Sequence, residues 1–433
     1  MPLYPRKIMP LLERRLATRK VTLLTGARQT GKTTLVRDIL PRVTKRDIAY
    51  FSLDNPDERI LLKDNPVARL DQPGKLIVLD EIQKLPELMD VVKLLVDRPA
   101  ARNKDAAKFL LLGSSQILLL KKVRESLAGR VTILSLWPLA VGERVRTEKA
   151  PPIGMDKIAE SGKEALDHFI KKPPSAAETR ALRKNCDFAL EWGGFPPVEH
   201  LENDEERRIW LRDYRNTYLE RDLADLGRVA DLDQFAKAQS MFAARTGHLF
   251  SYSEIGRDLG VSVPTVKKYL RFLEISYQTY LLQPFFQGVA KRLIKSPKLY
   301  WLDVGLARVL SQKYSLGDGA LFETFVAGEI IKWLSWQTEP PHFGYHRTRA
   351  GAEVDFVLWN GEFLIAIEAK VSANVHQGDA GGISRFFRSL PAGYSQRKKL
   401  LGLAVYRGRT VRRLRENIWA VPDWLMFGGI RES

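Results

Sequence analysis

Cysteine is scarce in this 433-residue chain, which has a single one, Cys186. One cysteine cannot form an internal disulfide, and so low a content is typical of a reducing compartment. No apolar run approaches the ~18 residues that a membrane-spanning helix needs, and the N-terminus has no signal-peptide pattern. Internal repeats and low-complexity tracts are also missing. These absences predict a soluble, cytoplasmic protein without a membrane partner.

Acidic residues are outnumbered: 51 Asp and Glu stand against 69 Lys and Arg, a formal net charge of +18. Such an excess is expected of a protein that contacts a phosphate backbone. Anionic membrane surfaces attract the same charge, but the lack of a long apolar segment favours nucleic acid. We therefore expect DNA as a partner.

A phosphate-binding loop is indicated near the N-terminus. An apolar run at 21–24 precedes the pattern G-x-x-x-x-G-K-[ST], and a helical stretch from 34 to 40 follows it. In this context backbone N–H groups hold the phosphates of ATP, Lys32 neutralises the β and γ oxygens, and Thr33 ligates Mg²⁺. The predicted ATP-binding residues here are Gly26, Ala27, Arg28, Gln29, Thr30, Gly31, Lys32, Thr33 and Thr34.

Two more apolar runs end in polar residues, as neighbouring strands of one parallel sheet would. After the run at 76–79, Asp80 is expected to support Mg²⁺ through a water, and Glu81 to polarise the attacking water as general base. After the run at 109–112, Ser114 and Ser115 would sense the γ-phosphate. The alternative for each of these residues is a helix cap.

The segment 251–273 has the pattern of helix, glycine turn and helix, with Ser262 as the cap of the second helix and Pro264 in its first turn. A basic, turn-rich segment at 287–298 lies where the wing of a winged helix would be. The alternative is a spacer between domains or a protein contact. The predicted DNA-binding residues are Thr265, Lys267, Lys268, Arg271, Lys291, Arg292 and Lys295.

A hairpin near the C-terminus carries a second chemical pattern. The Asn360 and Gly361 pair predicts a two-residue turn with positive φ at both positions, which places Trp359 opposite Glu362. Asp355 would then lie opposite Ala366, and Glu353 opposite Glu368. The charged residues expected on one face are Glu353, Asp355, Glu368 and Lys370.

Converging carboxylates can hold Mg²⁺, and an adjacent lysine can orient a water for phosphodiester hydrolysis. The alternative is a set of surface charges on the wet side of a half-buried sheet. The run 363–367 before Glu368 is apolar on both faces, which favours a buried strand whose carboxylate needs a partner.

An acidic residue, a hairpin and Glu-x-Lys resemble the PD-(D/E)xK nucleases, which include restriction enzymes and Holliday-junction resolvases. The resemblance implies Asp355 and Glu368 as metal ligands and Lys370 as the catalytic lysine, although Val354 replaces the proline of the motif. The family also has a glutamate on a preceding helix, for which we favour Glu323 and keep Glu329 in reserve.

Most of the chain resembles the AAA+ and related P-loop ATPases that carry a C-terminal domain of unknown function, DUF4143. The similar segments are 25–33, 79–83, 113–115, 126–130, 137–139, 193–196, 218–222 and 297–306. The resemblance implies that Arg130 is an arginine finger that acts on the neighbouring subunit of a ring, by default a hexamer. The alternative is an arginine that pairs with an acidic neighbour.

The expected fold is α/β and multidomain. Residues 1–145 would form a P-loop (AAA+) parallel-sheet ATPase domain, 146–245 a helical linker or lid, 246–310 a winged helix-turn-helix, and 311–433 a PD-(D/E)xK nuclease-like α/β domain.

The predicted function is an ATP- and Mg²⁺-dependent motor that binds and remodels DNA, with branched DNA such as Holliday junctions suggested by analogy. The nuclease-like domain would either cut DNA or only bind it. The alternative is a nucleotide-regulated switch for a protein partner, of a defence or toxin–antitoxin type, with a nuclease fold that does not cleave.

Overall fold

The computed structural model describes residues 3–99, 106–114, 123, 125–145, 147–224, 232–285, 296–311, 316–348, 352–391, 394 and 398–430, with the backbone alone for 114 and 218–224. Within these ranges the strands form sheets of five, three and six strands. None of the helices in the same ranges combines the length and apolarity needed to cross a bilayer.

The first sheet is parallel throughout and carries the phosphate-loop motif. Its strands are β1 (Val21–Gly26), β2 (Ile48–Ser52), β3 (Leu76–Asp80), β4 (Lys108–Ser114) and β5 (Val131–Ser135), in the order β2-β3-β4-β1-β5. β1 and β3 are buried along their whole length, because separate apolar clusters cover the two faces of the sheet. The parallel α/β fold predicted for the N-terminal part is confirmed.

Short helices flank this sheet. They are α1 (Met9–Thr18), α2 (Lys32–Thr34), α3 (Pro56–Asp64), α4 (Pro66–Leu70) and α5 (Leu88–Asp97). A π turn over Leu35–Ile39 continues α2. The carboxyl ends of β1 and β3 therefore open beside the N-terminus of α2, which is where a parallel sheet binds phosphate.

A helical segment follows the first sheet. Its helices are α6 (Gly154–Ser161), α7 (Lys163–Lys171), α8 (Ala176–Trp192) and α9 (Asp204–Ala224). Cys186 on α8 is buried in an apolar cluster that also includes Phe325 and Trp424 from the C-terminal part of the chain. This segment thus shares a core with the last sheet.

The three-stranded sheet packs with three helices. The elements are α10 (Leu232–Ala244), β6 (His248–Leu249), α11 (Tyr252–Leu259), α12 (Val263–Ile275), β7 (Thr279–Leu282) and β8 (Lys298–Trp301), and the antiparallel sheet has the order β6-β8-β7. Gly260 ends α11 with φ of 67°, and the Ser262 side chain accepts from the Thr265 N–H at the start of α12. The glycine turn and the serine cap are those that the sequence indicates.

The last sheet is mixed and covered on both faces. After α13 (Val304–Leu310) and α14 (Asp318–Ser335) come β9 (His342–Arg347), β10 (Glu353–Trp359), β11 (Phe363–Lys370), α15 (Gly381–Ser389), β12 (Lys399–Tyr406), β13 (Arg412–Arg415), β14 (Ile418–Pro422) and α16 (Asp423–Phe427), with the strand order β13-β14-β12-β11-β10-β9. Residues of α14 pack on one face and residues of α15 on the other, which explains why β11 is apolar on both sides.

The hairpin turn differs from the predicted one. Trp359 pairs with Leu364, two residues out of the expected register, and Asn360 and Gly361 are not among the described residues with positive φ. The Asn360 side chain instead accepts from the N–H groups of Glu362 and Phe363, both at 2.9 Å, and closes the turn locally. The predicted turn is therefore wrong. A shift of two residues keeps every side chain on its face.

Candidate nucleotide site and carboxylate cavity

The loop 26–31 turns tightly between β1 and α2. A Cβ atom on Gly26 would lie 2.1 Å from the Leu136 carbonyl oxygen, so only glycine fits there. Gln29 and Gly31 have φ of 60° and 88°. The Lys32 ammonium is buried inside the loop, where it donates to the carbonyl oxygens of Gly26 at 3.1 Å and Ala27 at 2.8 Å.

The predicted magnesium ligands of this loop meet at the end of β3. The Thr33 hydroxyl donates to Asp80 Oδ2 at 2.9 Å, so a hydroxyl and a carboxylate oxygen face each other beside α2. Hard oxygen donors of this kind suit Mg²⁺, and the two residues fit the ion that ATP carries. Tyr50 on β2 also donates to Asp80, a contact that no sequence pattern indicated.

Glu81 lies on the wall of the same cavity as Lys32 and Thr33. Its backbone is left-handed, with φ of 56°, a conformation rare for non-glycine residues and often found at functional sites. Burial raises the pKa of Glu81, against the lowering effects of Gln83, which donates to its carboxylate, and of Lys32. A carboxylate with a raised pKa suits a general base.

The nucleotide cavity has a volume of about 520 Å³ and extends well beyond the phosphate loop. Its far wall comes from distant segments, namely the N-terminal residues, Leu139 and the loop after α8. The wall residues outside the phosphate-loop and acidic motifs include Leu3, Tyr4, Arg6, Leu139, Pro196, Pro197 and His200. An aromatic and apolar wall beside a phosphate loop is chemically suited to a nucleotide base.

Arg6 ties the N-terminal segment to the phosphate loop. Its guanidinium donates to the carbonyl oxygens of Thr30 at 2.8 Å and Trp137 at 2.6 Å, and to Glu143 Oε2 at 3.2 Å. Both side chains of the ion pair are almost fully buried, at 5% and 3% exposure. Arg6 therefore holds the backbone of the loop in place.

Arg130 does not line the nucleotide cavity of its own chain. It pairs with Asp97, with distances of 2.6 and 2.9 Å, and both side chains are partly exposed. This is the acidic pairing that the sequence left open as the alternative. The backbone of Ser114 lies beside Gly26 in the sheet, whereas Ser115 lies outside the described residues.

The predicted DNA-contact residues of α12 lie on its outer side. Lys267, Lys268 and Arg271 are exposed, and Thr265 is half-buried and hydrogen-bonded to Ser262. The predicted wing residues Lys291, Arg292 and Lys295 lie outside the described residues. Lys298, the last residue of the segment predicted as a wing, belongs to β8, and the wing itself stays a prediction.

A second cavity, of about 750 Å³, lies between the three-stranded sheet and the last sheet. The structure brings the five predicted charged residues together on its wall, namely Glu323, Glu353, Asp355, Glu368 and Lys370. Glu329 lies elsewhere, since it accepts from the Val141 N–H at 2.9 Å and pairs with Lys332 at 2.7 Å. The Asp355 carboxylate accepts from the Ala369 N–H at 2.9 Å.

An ammonium stands among these carboxylates. Lys298 Nζ lies 2.8 Å from Glu323 and 4.0 Å from Asp355, and it also pairs with Glu353. Glu368 pairs with Lys370 at 3.0 Å. Within the described ranges no three His, Cys, Asp or Glu side chains are arranged to hold a metal ion. The Mg²⁺ ligand set predicted from Glu323, Asp355 and Glu368 therefore does not fit this arrangement.

Burial dominates the acid–base properties of this cavity. Burial, and then the charge of Glu323, raise the pKa of Asp355 to about 8. Burial also raises the pKa of Glu368, although Lys370 opposes it. For Lys298 burial favours the neutral form, but Glu323, Asp355 and Glu353 outweigh it and raise the pKa, so the ammonium stays charged.

Three protein families match segments of this chain. An AAA domain covers residues 18–145, a domain of unknown function (DUF8612) covers 183–316, and another (DUF4143) covers 318–425. The Uncharacterized protein Rv2008c of Mycobacterium tuberculosis is 34% identical over 357 residues, which cover 80% of this chain and 69% of the mycobacterial one. The chain belongs to the same family as that protein. It is an AAA-type ATPase with a C-terminal DUF4143 domain.

Two predictions for this ATPase are thereby confirmed, the P-loop nucleotide-binding domain and the DUF4143 membership. A more distant relative is the Uncharacterized protein MJ1544 of Methanocaldococcus jannaschii, 23% identical over 363 residues, 80% of this chain and 74% of the archaeal one. The nuclease-like identity of the C-terminal domain stays a prediction.

Among solved structures, the ORC1 protein of Aeropyrum pernix in complex with DNA is 14% identical, covers 72% of this chain and 94% of its own, and gives a TM-score of 0.28. The RuvB Holliday junction branch migration motor of Thermotoga maritima is 18% identical. The match covers 63% of this chain and 86% of the RuvB chain, with a TM-score of 0.27. TM-scores this low support no inference about the function of the ATPase.

Proposed function

We propose that this AAA-type ATPase is a motor that binds DNA through α12 and remodels it with the energy of ATP hydrolysis. One observation carries the proposal. The described part of the chain combines Lys32, Thr33 and Glu81 on the wall of one cavity, and Asp80 in contact with Thr33, with an exposed basic helix. The excess of 18 positive charges over the whole chain supports an anionic polymer as partner.

Each polar residue of the nucleotide site would have a different role in ATP hydrolysis. Lys32 would leave the two loop carbonyls and donate to phosphate oxygens, while Thr33 and Asp80 would hold Mg²⁺, which neutralises developing charge on the phosphates. Glu81 would accept the proton of the attacking water, and its raised pKa strengthens it as a base. Arg6 would keep the loop backbone in its phosphate-binding shape.

A contact path from the nucleotide cavity to the DNA-binding part supports the proposed coupling. The Gly194 carbonyl oxygen accepts from Leu139, a wall residue of the cavity, at 2.6 Å. The Gly194 N–H donates to Asp303 Oδ2 at 2.7 Å, and Asp303 caps α13 directly after β8. A Cβ atom on Gly193 would lie 2.1 Å from the Asp303 side chain, and one on Gly305 would lie 2.3 Å from the Trp192 carbonyl oxygen, so this contact is tightly packed. Movement at the cavity wall would therefore reach β8 and its sheet.

DNA affinity is expected to fall steeply with salt, because a protein that binds phosphates releases counterions. Replacing either Lys267 or Lys268 with alanine should make the plot of log affinity against log salt concentration less steep, by about 1 unit of slope for each lysine. Fluorescence anisotropy of labelled duplex and four-way DNA across a salt series measures this slope. Lys171→Ala with Lys172→Ala, an exposed pair on the end of α7, serves as matched control.

An unchanged slope in the α12 variant would remove α12 from the interface. A flat salt dependence in the wild type would favour the second candidate function, a nucleotide-regulated switch that binds a protein. The ammonium of Lys298 among the carboxylates favours a non-cleaving C-terminal domain in either case.

We also propose that the motor works as a ring of copies, by default a hexamer, in which Arg130 leaves Asp97 and acts on the nucleotide of a neighbour. The partial exposure of both members of this ion pair supports such a release. Arg130→Ala should then lower ATP turnover by about 10³-fold while leaving nucleotide affinity unchanged. Steady-state turnover and equilibrium binding, with sedimentation in the presence of ATP, test this. Normal turnover of the variant, or a monomer at working concentration, would contradict it.

A further inference from the structure

Lys298 is the most deeply buried cation of the C-terminal cavity wall. Its side chain is 3% exposed, whereas the Glu323, Glu353 and Asp355 side chains around it are 18%, 26% and 18% exposed. The ammonium also lies 5.8 Å from the centre of the Tyr345 ring. One ammonium thus serves three carboxylates in a place that is largely closed to water.

The local fold fixes this position. Lys298 and Tyr300 alternate along β8 and point to the same side, and the Tyr300 hydroxyl also donates to Glu323, at 2.6 Å. Leu299 between them lies in the apolar core of the helices α10 to α12. A rotation of β8 that withdrew the lysine would bring Leu299 out of that core, so the strand register holds the ammonium in the cavity.

A divalent cation and this ammonium cannot share the cluster. A metal held by Glu323 and Asp355, two of the three predicted ligands, would have to lie within about 2.0–2.6 Å of their oxygens, on the side where Lys298 Nζ lies 2.8 Å from Glu323 and 4.0 Å from Asp355. The third predicted ligand, Glu368, is paired with Lys370 at 3.0 Å. At such separations two cations repel strongly even at a high effective dielectric constant. Glu353 has a further cationic partner, Arg347 at 3.4 Å.

We propose that Lys298 is a resident cation that takes the place of a divalent metal ion in the C-terminal cavity. Glu323 and Asp355, two of the carboxylates that resemble a nuclease centre, face this ammonium, the third, Glu368, pairs with Lys370, and the domain holds no Mg²⁺ there. The inference goes beyond the proposed motor function and does not depend on ATP turnover. It also means that the same carboxylates form a latent metal site, which becomes available when the ammonium is removed.

Mn²⁺ binding by the full-length, nucleotide-free protein tests the proposal, with free Mn²⁺ measured by electron paramagnetic resonance. Subtraction of the Asp355→Asn variant isolates binding in this cavity from binding at the nucleotide loop. The wild type should show no Asp355-dependent site. Lys298→Met should gain an Asp355-dependent Mn²⁺ site whose affinity is at least about tenfold higher than that of any Mn²⁺ binding by the wild-type cavity. Adding Asp355→Asn to Lys298→Met should remove this site.

Two further measurements serve as controls. Lys298→Arg keeps the positive charge and should bind no Mn²⁺ in the cavity. Mn²⁺ should raise the melting temperature of the Lys298→Met variant but not that of Lys298→Arg or of the wild type through this cavity. An Asp355-dependent Mn²⁺ site in the wild type would overturn the proposal, even if Lys298→Met failed to fold. A folded Lys298→Met protein without a new site would overturn it as well.

Discussion

Replacing Glu81 with glutamine is expected to lower ATP turnover about 100-fold or more, the range of general-base effects, while ATP still binds. Glutamine keeps the size of the side chain but cannot accept the proton of the attacking water. Because burial raises the pKa of Glu81, the basic form is lost on the acid side at a higher pH than for an ordinary glutamate. Wild-type turnover should accordingly fall as the pH drops through that raised pKa. Single-turnover hydrolysis across pH and equilibrium binding of ATP measure both effects.

Two further variants serve as controls for Glu81→Gln. Lys32→Ala should lose ATP affinity itself, because the phosphates lose their buried ammonium, whereas Glu87→Gln changes an exposed glutamate near α5 and should behave as the wild type. Unchanged turnover in Glu81→Gln would refute the base assignment. A loss of binding in that variant would show that Glu81 supports the loop rather than the chemistry.

Replacing Arg6 with alanine is expected to cost about 3 kcal/mol of unfolding free energy, the lower end of the range for breaking a buried ion pair. The variant leaves Glu143 buried without its cation and leaves the carbonyls of Thr30 and Trp137 without a donor. The loss stays at the lower end because Glu143 keeps the backbone N–H groups of Lys7 and Ala140 as donors. Denaturant unfolding measures it, and ATP affinity should fall in parallel because the phosphate loop loosens.

A double-mutant cycle separates the buried charge from the lost hydrogen bonds. Glu143→Gln added to Arg6→Ala removes the unpaired carboxylate and should restore part of the lost stability. If the double variant is as unstable as the sum of the two single variants, the ion pair carries no coupling and our interpretation of Arg6 fails.

The nucleotide site was largely predictable because its chemistry lies in short, continuous patterns. The loop 26–34 and the acids after β3 sit on strands that apolar runs already indicate, so their neighbours follow from the parallel sheet. Arg6, Tyr50 and His200 were not predictable, because they reach the site from distant segments through tertiary contacts. Nothing near them in the sequence marks Arg6 and His200 as parts of the nucleotide cavity, or Tyr50 as a donor to Asp80.

The C-terminal cavity shows a different limit. The strand period placed Glu353, Asp355, Glu368 and Lys370 on one face even though the turn was wrong, since an error of two residues preserves the face. Lys298 was assigned to a wing because the segment 287–298 is basic and turn-rich. Its place at the head of the apolar run 299–302, with Tyr300 in alternation, was the signal for a buried lysine that faces acids.

The rate of ATP hydrolysis as a function of DNA concentration tests the central claim most directly, that one chain couples nucleotide turnover to a DNA contact on α12. Wild-type turnover should rise with added duplex or four-way DNA and saturate. In Lys267→Ala/Lys268→Ala the curve should shift to higher DNA concentration, with the DNA-free rate unchanged. An ATPase rate that is indifferent to DNA, or an equal response in both proteins, would contradict the claim.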